Sequence, residues 1–133
     1  MSNIRQSILI RIDLNLPKGL SEAQVAHLHF AGLRNTILDK LSNCSATLSF
    51  TQDEIDWLRT PYVFVHGVPN VEVLRHFANQ ANNIKVQYTE WRDTIYVKVS
   101  DTQKIVVENC LVGFSMLGES DKIKAVIGDL PLL

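Results

Sequence analysis

The chain has 133 residues, 46% of them apolar and 20% charged, with a formal net charge of −1 from 13 Lys and Arg against 14 Asp and Glu. That size suits a single domain spanning residues 1–133 around one core, and the composition excludes a disordered or low-complexity chain. The balanced charge, with no basic run beyond the Lys-Ile-Lys of 122–124, argues against tight sequence-independent binding of nucleic acid.

Residues 7–13, SILIRID, predict a strand, and Ile8, Leu9 and Ile10 in succession predict one buried on both faces. A loop over 13–19 carries Pro17 and Gly19. Ser21 then reads as an N-cap, with Gln24 completing an S-x-x-Q capping box. The helix it opens reaches about Leu41 on a stripe of Val25, Leu28, Leu33, Ile37 and Leu41. Residues 43–50 fit a loop or a short strand. Thr51 and Glu54 form a second capping box, and Pro61 stops the short helix after it.

Residues 62–66, YVFVH, predict a second buried strand, with Gly67 and Pro69 turning the chain. Asn70 caps a helix whose apolar residues are Val71, Leu74, Phe77, Ala78 and Ala81, closed by Asn82 and Asn83. Residues 84–89, IKVQYT, read as a third strand. Across 90–105 two readings stand: an edge strand through 96–100, or a helix from Glu90. Residues 105–114 predict a fourth strand, and a helix from about Glu119 buries Ile123, Val126 and Ile127 before Gly128 ends it. Helices interleaved with apolar strands predict an α/β fold, a three-layer α/β/α sandwich with a mixed four-stranded sheet.

Cys44 and Cys110 lack metal-ligand spacing and read as buried free thiols. No His, Cys or carboxylate spacing reads as a metal site, and no phosphate-binding or nucleophile signature is present, so no metal or cofactor is expected. No apolar stretch approaches the roughly 20 residues of a membrane span, and the N-terminus lacks a leader's apolar core. A cytoplasmic protein with no membrane partner is expected.

In α/β sheets, ligands gather beyond the carboxyl ends of strands. Asp13 stands at such an end, followed by Lys18, Gly19 and a helix N-terminus, which together suit an anion or a developing oxyanion. Gln24 and His27 share one helix face, and His27 suits a general base or a polar orienter. Each has a plainer role open to it. Lys18 reads equally as a solvated loop lysine, Gln24 as a capping residue, His27 as a structural histidine and Asp13 as a loop brace. His66, ending the second strand, could also face the site; His29 and His76 read as structural or solvated.

The pattern of Arg11, Asp13, Leu14, Lys18, Gly19, Ala23, Gln24 and His27 resembles the second type of peptidyl-tRNA hydrolase, found in archaea and eukaryotes. So does the strand ending Val112-Gly113 followed by a helix closing on Gly128 and Leu130 to Leu133. A bacterial branch of that superfamily, without assigned function, is similar in its D-L-P-x-G-L loop and its G-x-L-P-L-L tail, here Asp13-Leu14 with Pro17 to Leu20, and Gly128 to Leu133. The departures are Leu20 for a second lysine, Val25 and Ala26 for a small residue and Cys, and Trp91 and Arg92 for small residues in the motif after the third strand.

The resemblance implies hydrolysis of peptidyl-tRNA or a related acyl ester. Lys18, Gln24, His27, Glu90 and Thr94 would be catalytic, Glu90 and Thr94 standing for the family's Asp and Thr. Asp13, Gly19, His66 and Trp91 would bind ligand, and tRNA or a small anion would be the partner. The alternative is a non-catalytic relative that binds a small anionic ligand, a nucleotide or a protein partner in the same cleft, with Trp91 stacking on a base or filling it. A homodimer with a structural role is a third expectation.

Overall fold

The computed structural model describes residues 2–43 and 48–133. The Ile8-Leu9-Ile10 run lies in the middle of β1 (Ile4–Arg11), where every residue between the strand ends is buried. The reason is topological. The remaining strands are β2 (Val63–Val68), β3 (Thr89–Lys98) and β4 (Lys104–Glu119), in a four-stranded sheet of order β2-β1-β4-β3. β1 therefore has a neighbour on each side, β2 parallel and β4 antiparallel, and helices cover both of its faces. A strand so placed needs apolar side chains on both faces, so alternation disappears.

The helices are α1 (Lys18–Asn43), α2 (Gln52–Arg59), α3 (Val71–Asn83) and α4 (Ser120–Ile127). On one face, Leu9, Phe114 and Met116 of the sheet pack with Leu74, Ala78 and Ala81 of α3 and Ile123, Val126 and Ile127 of α4. On the other, Ile10, Ile95, Cys110 and Val112 pack with Leu14 and with Val25 of α1. The fold is an α/β/α sandwich with a mixed sheet. An eight-residue helix such as α4 does not persist alone. Its three buried side chains, at roughly 1.5–3 kcal/mol each, hold it in place.

Gln6, His29 and Ser115 form a bonded polar network inside the α1 face. Gln6, fully buried, donates from Nε2 to the His29 carbonyl (3.2 Å) and to Ser115 Oγ (2.8 Å), and accepts from His29 Nδ1. Gly32 lets α1 approach this network: a Cβ there would lie 2.6 Å from Ser115 Oγ and 2.8 Å from Gln6 Nε2. His29 is thus a structural histidine.

The Thr51 capping box forms as its spacing predicts, and Lys40 of α1 joins it, 3.1 Å from Glu54. Burial alone would raise the Glu54 carboxyl, but the bonds from Thr51 and Lys40 outweigh it and hold it below its ordinary value. Its contribution to stability is therefore present above that ordinary value and lost as pH falls through the lowered folded one. Glu54→Gln keeps the cap but loses the charge, so it is expected to destabilise by about 0.5–1 kcal/mol at neutral pH. Denaturation curves of the two proteins should converge in acid.

Several boundaries differ from the sequence reading. α1 starts at Lys18, not Ser21, and the Ser21–Gln24 box does not form. The Ser21 N–H makes an ordinary helical bond to the Pro17 carbonyl, and Gln24 reaches across to the sheet. The inward face of α1 is Gln24, Leu28, Ala31 and Gly32, while Leu41 is exposed. Residues 84–88 are not a strand: α3 ends in a turn with Lys85 at φ 60°. The third strand is instead Thr89–Lys98, so the helix alternative from Glu90 falls and the edge strand extends back to Thr89. β4 is longer at both ends than residues 105–114. Cys110 is a buried free thiol. Cys44 and residues 44–47 of the ambiguous segment lie outside the described residues; 48–50 are irregular. Among the described residues, no helix is long and apolar enough to cross a membrane.

Candidate functional site

β3 decides the site because its side chains alternate. Trp91, Asp93, Ile95 and Val97 are sheltered on the α1 face, whereas Glu90, Arg92, Thr94 and Tyr96 are exposed on the other. β4 does not alternate so simply. Trp91 pairs with Gly113 but Arg92 with Leu111, which leaves Val112 as an extra residue. That bulge turns Val112 and Cys110 toward α1 and Leu111 toward α3 and α4. A second irregularity, at Asn109 with φ 50°, stands across from Thr94.

Of the contacts that join α1 to the sheltered face of β3, two lie in the first half of the helix, and further along it Asn35 Nδ2 donates to Thr89 Oγ1 at 3.0 Å. Gln24, 6% exposed, donates from Nε2 to Asp93 Oδ2 at 3.0 Å. One helical turn on, the His27 ring lies on Trp91, centroids 4.7 Å apart and planes at 16°. Asp93 Oδ1 accepts from the Thr94 N–H at 2.8 Å, so both carboxylate oxygens are held and each keeps a lone pair. The pairing assigns the amide: reversed, Gln24 would set its carbonyl oxygen against the carboxylate. Gln24 Oε1 is left buried without a partner, and so is Trp91 Nε1. Gln24 thus carries a buried orphaned acceptor and Trp91 a buried orphaned donor, and Gln24 orients the Asp93 carboxylate, a group that can accept a proton.

The loop from β1 supplies the surrounding wall. Leu14 is buried against the sheet with Leu16, Val25 and Trp91. Arg11 grips Asp13 through Nε (3.1 Å) and Nη2 (2.8 Å), and donates through Nη1 to the Leu111 carbonyl (3.1 Å). Asp13 therefore braces the loop. The hydrogen bond to Asp13 chiefly keeps Arg11 above its ordinary value. Lys18 is the first residue of α1, its ammonium exposed and 3.9 Å from Glu22. With Gly19 it sits where the helix presents free N–H groups and partial positive charge.

The sequence-predicted residues therefore divide. Gln24, His27 and Trp91 come together, and Lys18 and Gly19 head the same helix. Glu90 and Thr94 lie on the opposite side of the sheet, where Glu90 is 3.6 Å from Arg92. His66 also leaves the group: it pairs in register with Leu9 and is buried beneath the C-terminal segment. Sequence reasoning missed Asp93. The period-two pattern that puts Trp91 toward the core puts Asp93 there too, once the segment is read as a strand. Among the described residues, no three His, Cys, Asp or Glu side chains cluster as metal ligands.

The chain matches no protein-family model and no curated protein sequence.

Proposed function

We propose that this protein is a cytoplasmic hydrolase of the peptidyl-tRNA hydrolase type 2 superfamily, of its bacterial branch, cleaving peptidyl-tRNA or a related acyl ester. The observation that carries the reading is the part-buried Gln24–Asp93 pair, on the second turn of α1. Asp93, not Glu90, takes the role of the catalytic carboxylate. It accepts a proton from water as the oxygen attacks the ester carbonyl. Collapse of the tetrahedral intermediate then breaks the ester bond, and the leaving ribose hydroxyl takes up a proton. Gln24 fixes the carboxylate and offers Oε1 to the attacking water. The free N–H groups of α1 and the Lys18 ammonium stabilise the oxyanion or grip a phosphate. Such a site binds one acceptor end and needs no broad basic surface, which agrees with a net charge of −1.

The test is release of free tRNA from an N-blocked aminoacyl-tRNA by the purified protein. No release by well-folded protein at high concentration would remove the hydrolase reading. A second reading, a non-catalytic binder of a nucleotide or other anionic ligand, is favoured by the His27–Trp91 stack. It predicts quenching of Trp91 emission by a nucleotide, lost in Trp91→Phe, without turnover.

A further inference from the structure

We propose that Arg5, His66 and Lys124 form a second site, on the sheet face opposite Gln24 and Asp93, for a phosphate that carries one proton. They line an open pocket of about 450 Å³ between β1, β2 and the end of α4, together with Phe64, Ile127 and Leu130. The two central groups are incomplete in complementary ways.

Arg5 is only 8% exposed. Its Nε donates to Ser7 Oγ at 3.0 Å, and its guanidinium carbon lies 4.1 Å from the Phe64 ring centroid. Among the described residues no carboxylate lies within ion-pair distance of it, and its two terminal nitrogens have no protein partner. A guanidinium largely withdrawn from water and lacking a counter-charge gains from an anion that completes it. Its free edge is a fork of N–H donors that matches two oxygens of one oxyanion.

His66 is 3% exposed, and its Nδ1 faces the carbonyls of Leu130 (3.1 Å) and Pro131 (3.3 Å). Both are acceptors, so Nδ1 carries the proton and donates. Burial, assisted by the nearby Arg5 charge, disfavours a second proton despite those carbonyls. Nε2 is then a buried lone pair with no partner. Lys124 adds a positive charge at the rim, and Asp129, the pocket's one carboxylate, is exposed there.

The pairing selects the ligand. A carboxylate or sulfate would satisfy Arg5 but oppose the His66 Nε2 lone pair with a lone pair of its own. A singly protonated phosphate places P–O⁻ oxygens on Arg5 and donates its P–OH to Nε2. Inorganic phosphate keeps one proton through neutral pH, whereas a monoester loses its own above about pH 6.

The experiment is calorimetric titration with inorganic phosphate, sulfate and glycerol phosphate. At neutral pH, inorganic phosphate should bind at least about tenfold more tightly than sulfate. His66→Asn keeps a donor for the Leu130 and Pro131 carbonyls but is too short to place an acceptor where Nε2 stands. It should weaken phosphate, leave sulfate no weaker, and so erase the preference between them. Lys124→Ala, at an exposed position, should weaken both anions alike. Should His66→Asn fail to fold, the ¹⁵N resonance of wild-type Nε2 must move with phosphate and not with sulfate. Glycerol phosphate binding below about pH 6, and lost above it, would make a monoester an occupant. Its exclusion, with inorganic phosphate bound, would leave the free ion. Equal binding of sulfate and phosphate, or no binding of either, would overturn the proposal.

Discussion

Asp93→Asn is expected to slow tRNA release from N-blocked aminoacyl-tRNA by about 10²- to 10⁴-fold, the usual contribution of a positioned general base. The substitution keeps the size of the side chain and an acceptor oxygen for the Thr94 N–H, so the fold should stand. What it removes is the group that takes the proton. Gln24→Ala should lose a similar share of the rate, because Asp93 Oδ2 then lacks the donor that orients it. Lys18→Ala should act chiefly on KM, since that ammonium is exposed at the helix start and suited to gripping an anionic substrate.

The decisive contrast is across the sheet. Glu90→Gln and Thr94→Val should leave the rate within about twofold, as surface changes usually do, because both side chains lie on the face away from Gln24. Loss of activity in those two with retention in Asp93→Asn would place the chemistry on the other side. Circular dichroism and denaturation of each variant separate a lost site from a lost fold.

Gly113→Ala should be the most damaging single methyl in the protein. A Cβ there would stand 2.2 Å from the Leu9 carbonyl oxygen and 3.2 Å from both Ile10 Cα and Leu28 Cδ1. The first two are backbone of the central strand, paired on its other side with β2, so they cannot swing away as a side-chain tip would. Relief requires separating β4 from β1 at the bulge that turns Val112 inward. We expect destabilisation of at least about 3 kcal/mol, near or beyond what a domain of this size can lose and remain folded. Gly118→Ala in the same strand, with nothing within 4 Å of the added carbon, is the control and should be neutral or slightly stabilising. Comparable denaturation midpoints for the two variants would mean that β4 can shift away from β1 at little cost.

Part of the candidate site was legible beforehand. The β1–loop–α1 turn follows from an apolar run, a proline and a helix pattern, all of them local. The partner carboxylate was not, because residues 90–105 support two periods. As a helix, Glu90 and Thr94 share a face with a turn between them; as a strand they share the face that Asp93 and Trp91 avoid. Ser21 and Gln24 show the same limit. Their spacing satisfies a capping box, yet Pro17 supplies the Ser21 bond one turn earlier and Asp93 draws the Gln24 amide away. The Arg5–His66 pocket depends on residues 61 apart in sequence and on a tail that folds back over β2.

By itself, then, the sequence determined those features whose physics is confined to a few neighbouring residues. They include the doubly buried centre of β1, the Thr51–Glu54 and Asn70 caps, the apolar face of α4 and its stop at Gly128. The alternation of helices and strands extended that to the layered α/β architecture. The tertiary structure alone decided where α1 begins, which face of β3 meets it, and which carboxylate, Asp93 or Glu90, stands beside Gln24. Those outcomes turn on register, and in β4 one extra residue at Val112 reverses which side chains face α1. No local preference encodes that reversal, because it is fixed only when four strands and two helical layers pack at once.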